Sequence, residues 1–339
     1  MRVMVIDDSS VVRQLLRTIL ESEGYEVVEA VDGLQALSSV ARLRPDLVTM
    51  DVHMPGIDGF ETTQRLLQRY SVPVVIVTAS ANTKEAETAI RALEAGALAV
   101  VEKPRGPLHP QFYEHAELLI QTLQRVQSIK VQPPPPQPAK ASADPGRWDK
   151  PIRLVAIGAS AGGPAALKVL LGGLDAACPW PILIVQHISA GFLDSFRDWL
   201  GMLSPLPVHI AEAGQALQPG HLYLAPEAHH LAVNGELRVV LTRCAPRETV
   251  CPSINHLFDC LAGELKGEVL AILLSGMGRD GAAALAKLKG MGALTLVQQP
   301  DSAVVDGMPS AAIALGAACR VQAPEAMALT INGLMRQTS

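Results

Sequence analysis

Residues 152–167 read IRLVAIGASAGGPAAL. An apolar, β-branched run breaks into a glycine-rich turn and continues as an alanine- and leucine-rich stretch with helical spacing. A strand that turns tightly into a helix is the repeating unit of a parallel α/β sheet. The run itself spans 153–159, and similar runs follow at 181–187 (PILIVQH), 269–275 (VLAILLS) and 294–299 (LTLVQQ), each trailed by a helical pattern. Between them, LAVNGELRVVL at 231–241 reads as an inserted β-hairpin, because Asn234-Gly235 suits a two-residue type I′ turn. A mostly parallel α/β sheet is expected over 151–339.

The same alternation occupies residues 1–125. Arg2–Ile6, Tyr25–Ala30, Asp46–Asp51, Pro73–Ala79 and Leu98–Lys103 read as five strands. Val11, Val12, Leu15, Leu16, Ile19 and Leu20 recur at helical spacing between the first two, and Gly24 stops that helix. Five strands alternating with helices predict a flavodoxin-like doubly wound parallel sheet. Between the two segments, residues 128–151 hold seven prolines and few apolar side chains. A semi-rigid, extended interdomain linker is expected over 126–150.

Composition narrows the function classes. A chain of 339 residues suits two domains, and 49% hydrophobic with 18% charged residues excludes disorder as a global description. The longest apolar run, Val269 to Leu274, is too short to cross a bilayer, so no membrane insertion is expected. Two aspartates fall early in MRVMVIDDSS, where a signal peptide needs its apolar stretch, and a cytoplasmic location is the expectation. The net charge of −5 offers no basic stripe for nucleic acid, and the acidity is concentrated in residues 1–127. Cys178, Cys244, Cys251, Cys260 and Cys319 form no C-x-x-C pair and read as reduced thiols. His221, His229 and His230 have no nearby cysteine or acidic cluster in sequence to complete a metal site.

In parallel α/β sheets, ligands sit beyond the carboxyl ends of the strands. Asp7 and Asp8 end the first predicted strand, Asp51 the third, Thr78 the fourth and Lys103 the fifth. Clustered carboxylates suit a hard divalent ion such as Mg²⁺. The ion and the lysine would stabilise charge on a phosphoryl group arriving at a carboxylate. Taken singly, each aspartate is as readily a turn or cap residue, and Asp7-Asp8-Ser9-Ser10 could simply cap a helix. VIDDSSVVR, MDVHMPGIDGFE, VVIVTAS and VVEKP together resemble the receiver domain of two-component response regulators, over about residues 1–125. The resemblance implies phosphorylation at Asp51, Mg²⁺ held by Asp7, Asp8, Asp51 and the carbonyl of His53, and phosphoryl contacts from Thr78 and Lys103. Val100 departs from it, standing where such domains often carry an aromatic residue.

In the second segment, Gly158-Ala-Ser160-Ala-Gly162 matches G-x-S-x-G on a strand-to-helix turn, which presents a serine oxygen above a sheet. A pyrophosphate-binding turn and a plain N-cap compete with that reading. A dinucleotide site wants an acidic residue near the end of the next strand, and His187 stands there instead. Consecutive parallel strands are usually neighbours, so His187 would lie beside Ser160 as its base. Asp280, at the start of an alanine-rich helix, is either a helix N-cap or the acid that orients the histidine. Glycines at 276, 278 and 281 allow close backbone approach and amides for an oxyanion.

IGASAGGP, VQHISAGFLDSF, HLYLAP, CPSINHLF, LLSGMGRDG and VVDGMPSAAI resemble the catalytic domain of the CheB family of chemotaxis protein-glutamate methylesterases, over about residues 152–318. The resemblance implies Ser160 as nucleophile, His187 as base, Asp280 as orienting acid and the Met277 amide as oxyanion donor. It further implies demethylation of glutamyl methyl esters on methyl-accepting chemoreceptors, deamidation of receptor glutamines, phosphate from a chemotaxis histidine kinase, and no cofactor for the esterase. Cys251 stands where the family usually has arginine before Pro-Ser, and His229-His230 where it often has a glycine-aspartate turn. Two other readings stay open: a docking module whose triad residues are mere caps, and a hydrolase serving another signalling array.

Overall fold

Two parallel sheets organise the chain, one in each of two units, Met1–Pro134 and Pro135–Ser339, in a computed structural model that describes residues 1–79, 84–129, 131, 148–245 and 248–338. The expected linker lies for the most part outside the described residues. In the first unit the elements are β1 (Arg2–Ile6), α1 (Ser10–Ser22), β2 (Glu26–Ala30), α2 (Gly33–Leu43), β3 (Leu47–Met50) and α3 (Gly59–Leu67). They continue as β4 (Val74–Thr78), α4 (Lys84–Glu94), β5 (Ala99–Glu102) and α5 (Phe112–Val126). The strands run parallel in the order β2-β1-β3-β4-β5, the doubly wound sheet expected from the sequence.

Local chemistry sets these helices. The side chains of Ser9, Asp32 and Asp58 each accept a backbone amide as N-caps of α1, α2 and α3. Leu16, Ile19 and Leu20 turn the buried stripe of α1 onto the sheet, while Val11 stays exposed. Ser9, and neither aspartate, is the N-cap of α1, and Asp7 Oδ1 accepts the Ser9 amide at 2.9 Å.

The second unit begins β6 (Leu154–Ala159), α6 (Gly163–Gly172), β7 (Ile182–Gln186), α7 (Leu193–Leu203), β8 (Val208–Ile210), β9 (Leu222–Leu224), β10 (His229–Val233) and β11 (Val239–Arg243). It continues α8 (Ile254–Leu265), β12 (Val269–Leu273), α9 (Ala282–Gly290), β13 (Leu294–Gln298), α10 (Gly307–Ala314), β14 (Arg320–Gln322) and α11 (Pro324–Thr338). Seven strands pair in the order β14-β13-β12-β6-β7-β9-β8, parallel at every step. β10 and β11 form a separate antiparallel pair, and α8 packs against β10 and α9. Leu231, Val233, Leu257, Phe258 and Leu261 are buried in this layer. Each such side chain contributes roughly 1.5–3 kcal/mol by leaving water.

Three sequence expectations are corrected. The hairpin does not close through a two-residue turn. Asn234 begins a five-residue connection in which Leu237 takes positive φ and the Asn234 side chain accepts the amides of Glu236 and Arg238. The strands β8, β9 and β14 were not expected, since three residues are too few for a periodic signal. Finally, Cys244 and Cys251 are joined by a disulfide, because the chain leaving β11 returns to start α8 and brings their Cα atoms to 6.2 Å. Cys178, Cys260 and Cys319 are free thiols.

Candidate active site and phosphoacceptor pocket

The end of β6 carries Ser160 and the end of β7 carries His187. β6 and β7 pair in register from Val155–Ile182 to Ala159–Gln186, so Ser160 and His187 occupy the next rung. The His187 amide donates to the Ala159 carbonyl at 3.0 Å and continues the ladder. Gln186, buried just before the histidine, donates its side-chain amide to the carbonyls of Ser160 at 2.9 Å and His187 at 2.8 Å. It ties the serine turn to the histidine turn. Its one sequence signal was a polar residue ending the otherwise apolar run ILIVQ.

Asp280 arrives from the other side, on the turn after β12, which pairs with β6. His187 Nε2 meets Asp280 Oδ2 at 3.1 Å. With Nε2 on the carboxylate, Nδ1 is the nitrogen left for a serine hydroxyl. Asp280 does not cap α9, whose N-cap is Gly281. Its carboxylate instead accepts the amides of Ile254 at 2.7 Å and Asn255 at 3.0 Å, at the start of α8. The Ser253 hydroxyl donates to it at 3.0 Å and the Gly281 amide at 3.1 Å. Burial pushes the Asp280 carboxyl up, but the bonds from His187, Asn255 and Ile254 outweigh burial and hold it below the ordinary value. The chain thus keeps a charged acceptor against the imidazole at neutral pH. Nothing within CPSINHLF marks Ser253 by itself, because its partner Asp280 lies far along the sequence.

The serine turn sits close against the turn after β12. Ser160 N donates to the Ser275 carbonyl, and the Ser275 hydroxyl donates to the Ala161 carbonyl at 2.8 Å. Gly162 takes φ 74°, and a Cβ on Gly276 would lie 2.8 Å from Ser160 Cβ. Neither position has room for a side chain. Met277 follows Gly276, half-buried, and its backbone amide has no acceptor among the described residues.

His221 pairs with His209 at 2.9 Å, and His229 with the Glu227 carbonyl at 2.9 Å. His230 differs from the sequence expectation, since Cys244 and Glu248 lie beside it. These residues belong to a β-hairpin and the loop after it, so their sequence separation concealed the cluster.

In the first unit, Asp7, Asp8 and Asp51 bring carboxylate oxygens within 4.8 Å of one another beyond β1 and β3. Lys103 Nζ lies 2.8 Å from Asp7 and 2.9 Å from Asp51. Burial pushes the Asp51 carboxyl up and Asp7 adds to it, more than Lys103 and the Val52 amide draw it down. Burial lowers Lys103, yet Asp51 and Asp7 raise it on balance, so it stays charged. Three carboxylates against one ammonium leave two negative charges in an oxygen-only donor set, which fits a hard divalent cation. Thr78 is buried at the end of β4, and its carbonyl accepts the Lys103 amide at 2.7 Å. His53 is exposed two residues after Asp51, and Val100 is buried in β5 opposite Ile76.

Comparison with known proteins agrees with both halves. The family model for the CheB methylesterase matches residues 155–331, and that for the response regulator receiver domain matches residues 3–109. Protein-glutamate methylesterase/protein-glutamine glutaminase 3 of Hahella chejuensis is 45% identical over 354 residues, covering 100% of this chain and 99% of that protein. The enzyme numbered 1 from Syntrophus aciditrophicus is 41% identical and covers 96% of each chain. The crystal structure of the Thermotoga maritima CheB methylesterase catalytic domain superposes with a TM-score of 0.52 at 32% identity, over 54% of this chain and 98% of that one. A parallel sheet that holds serine, histidine and aspartate on neighbouring strand ends, preceded by a receiver sheet, thus comes with full-length relatives of the same kind, and the chain belongs to the CheB methylesterase family.

Proposed function

We propose that this chain is a phosphorylation-activated protein-glutamate methylesterase of chemotaxis adaptation, acting on glutamyl methyl esters of methyl-accepting chemoreceptors and on receptor glutamines. The observation that carries the reading is the contact of His187 with Asp280 at 3.1 Å beside the Ser160 turn. Ser160 Oγ attacks the ester carbonyl while His187 takes its proton at Nδ1, and Asp280 holds the resulting imidazolium. The Met277 amide donates to the oxyanion. His187 then returns the proton to the departing methoxide, which leaves as methanol. Water, deprotonated by the same histidine, releases glutamate from the acyl-enzyme. With glutamine as substrate, the leaving group is ammonia.

In the receiver, Asp51 is the phosphoacceptor, with a chemotaxis histidine kinase as the donor. Asp7, Asp8, Asp51 and the His53 carbonyl would hold Mg²⁺, which when bound supplies positive charge against the phosphoryl oxygens. Lys103 and Thr78 contact the phosphoryl group. A cytoplasmic location fits these partners, and among the described residues no helix is long and apolar enough to cross a membrane.

The test is methanol release from methylated receptor membranes by the purified full-length protein. Release by the wild type and none by Ser160→Ala supports the reading. No release by phosphodonor-treated wild type favours a docking module, and release from esters of another array with none from chemoreceptors favours the other hydrolase.

A further inference from the structure

The disulfide between Cys244 and Cys251 lies in a cluster that the proposed esterase chemistry does not use. Cys244, His230 and Glu248 bring ligand-type atoms within 4.8 Å of one another, and Cys251 is bonded to Cys244. His230 is 5% exposed, and His230 Nε2 faces Glu248 Oε1 at 3.0 Å. Thiolate, imidazole and carboxylate are the donor set of zinc, whose tetrahedral shell spaces ligand atoms by about 3.3–3.8 Å.

Glu248 and Cys244 are also held from behind, as metal ligands are. Glu248 Oε2 accepts the Ala245 amide at 2.9 Å. The Cys244 amide donates to the Ala228 carbonyl at 3.0 Å, anchoring the end of β11. The His230 ring stacks on His256 with centroids 4.6 Å apart, and its Nδ1 accepts the Ser253 amide at 3.1 Å.

We propose that Cys244, Cys251, His230 and Glu248 form a binding site for a divalent cation of the zinc class, open when the disulfide is reduced and closed when it is formed. Reduction by a phosphine and water passes two electrons to the disulfide; the phosphine becomes its oxide, and two thiols form. Loading then releases one proton from each thiol as two thiolates bind the metal. His230 coordinates through Nε2, and the proton of that nitrogen moves to Nδ1. The Ser253 amide loses its acceptor at that moment, and two metal–thiolate bonds offset the loss. Oxidation of the metal-free dithiol by oxygen, which takes the two electrons and two protons and leaves as hydrogen peroxide, returns the disulfide and removes two of the four ligands.

The experiment uses the full-length protein in two states, phosphine-reduced under argon and air-oxidised. Each is titrated with Co²⁺ as a spectroscopic probe and then with Zn²⁺, with excess Mg²⁺ present to occupy the receiver carboxylates. Reduced protein should bind one Co²⁺ per chain, with near-ultraviolet thiolate charge transfer and the intense visible bands of four-coordinate cobalt. Zn²⁺ should bleach both, and oxidised protein should show neither. Cys251→Ser should lose about half of the charge transfer, because the Cys244 thiolate remains, and His230→Ala should weaken binding by at least about tenfold. Absence of thiolate charge transfer in reduced wild type, or equal binding by the oxidised form, overturns the site. An undiminished signal in Cys251→Ser, whose fold is checked by circular dichroism, overturns it as well. If that variant unfolds, the two wild-type states decide alone.

Discussion

Asp280 Oδ2 accepts the amide of Ile254 at 2.7 Å, so the carboxylate that meets His187 is also the anion at the start of a helix 26 residues earlier in sequence. The positive end of α8 therefore fixes the acid and keeps it ionised. Its loss should be felt both in turnover and in stability.

Ser160→Ala and His187→Ala are each expected to lower methylesterase kcat by at least about a thousandfold, with the double variant little worse than either. Asp280→Asn should be milder in turnover, since serine and histidine stay in place. It should also destabilise the protein by about 1–3 kcal/mol, because an Asn amide nitrogen would face donors that now meet carboxylate oxygens. Initial rates and urea unfolding of the same four preparations check this. Near-wild-type turnover by Ser160→Ala would rule out the acyl-enzyme.

Ser253→Ala removes both the N-cap of α8 and a donor to Asp280. A stability loss of about 1 kcal/mol is expected, with a few-fold fall in kcat and an unchanged KM. The Asp280 carboxyl is depressed in the folded protein, so its contribution is present above the unfolded value and disappears as pH falls through the folded one. With one donor gone, the folded value rises, and acid unfolding should begin at higher pH. Acid titration followed by circular dichroism decides; identical profiles for variant and wild type would refute the coupling.

Asp51→Asn should abolish labelling by a small phosphodonor with Mg²⁺. It also relieves a cluster of three carboxylates served by one lysine, and without divalent ions the variant should be more stable by on the order of 1 kcal/mol. Mg²⁺ should raise the wild-type Tm more than that of the variant. Undiminished labelling of Asp51→Asn would move the phosphoacceptor elsewhere.

We expect the unphosphorylated receiver to restrain the esterase, since two domains joined by one short chain meet at high effective concentration. The fragment from residue 148 onward should be more active than the unphosphorylated full chain. Phosphodonor should raise the activity of the full chain and leave the fragment unchanged. Equal rates would show that the receiver exerts no restraint.

Much of this was legible in the sequence for a physical reason. Strands buried on both faces read as continuous apolar runs, and their carboxyl ends could be located to within a residue or two, as Ile6, Ala159 and Gln186 illustrate. Residues placed by those ends, Asp7, Ser160 and His187 among them, followed. What stayed hidden depends on tertiary return of the chain. Ser253 at the start of α8 reaches Asp280 after β12, Gln186 bridges the turns after β6 and β7, and Cys244 reaches Cys251 across the loop between β11 and α8. The Asn234-Gly235 signal misled because the side chain of Asn234 organised a longer loop.

Asp51 follows β3, third of five strands, and Ser160 follows β6, fourth of seven, so each emerges from the middle of its sheet. Middle strands open to solvent only when the whole unit unfolds, whereas edge strands such as β2 or β14 fray on their own. Backbone amides of β3 and β6 should therefore be among the slowest to exchange with deuterium in their units. Under the proposed function both reacting side chains are mounted where local melting reaches last, and mild denaturant should leave the chemistry running until each unit unfolds as a whole.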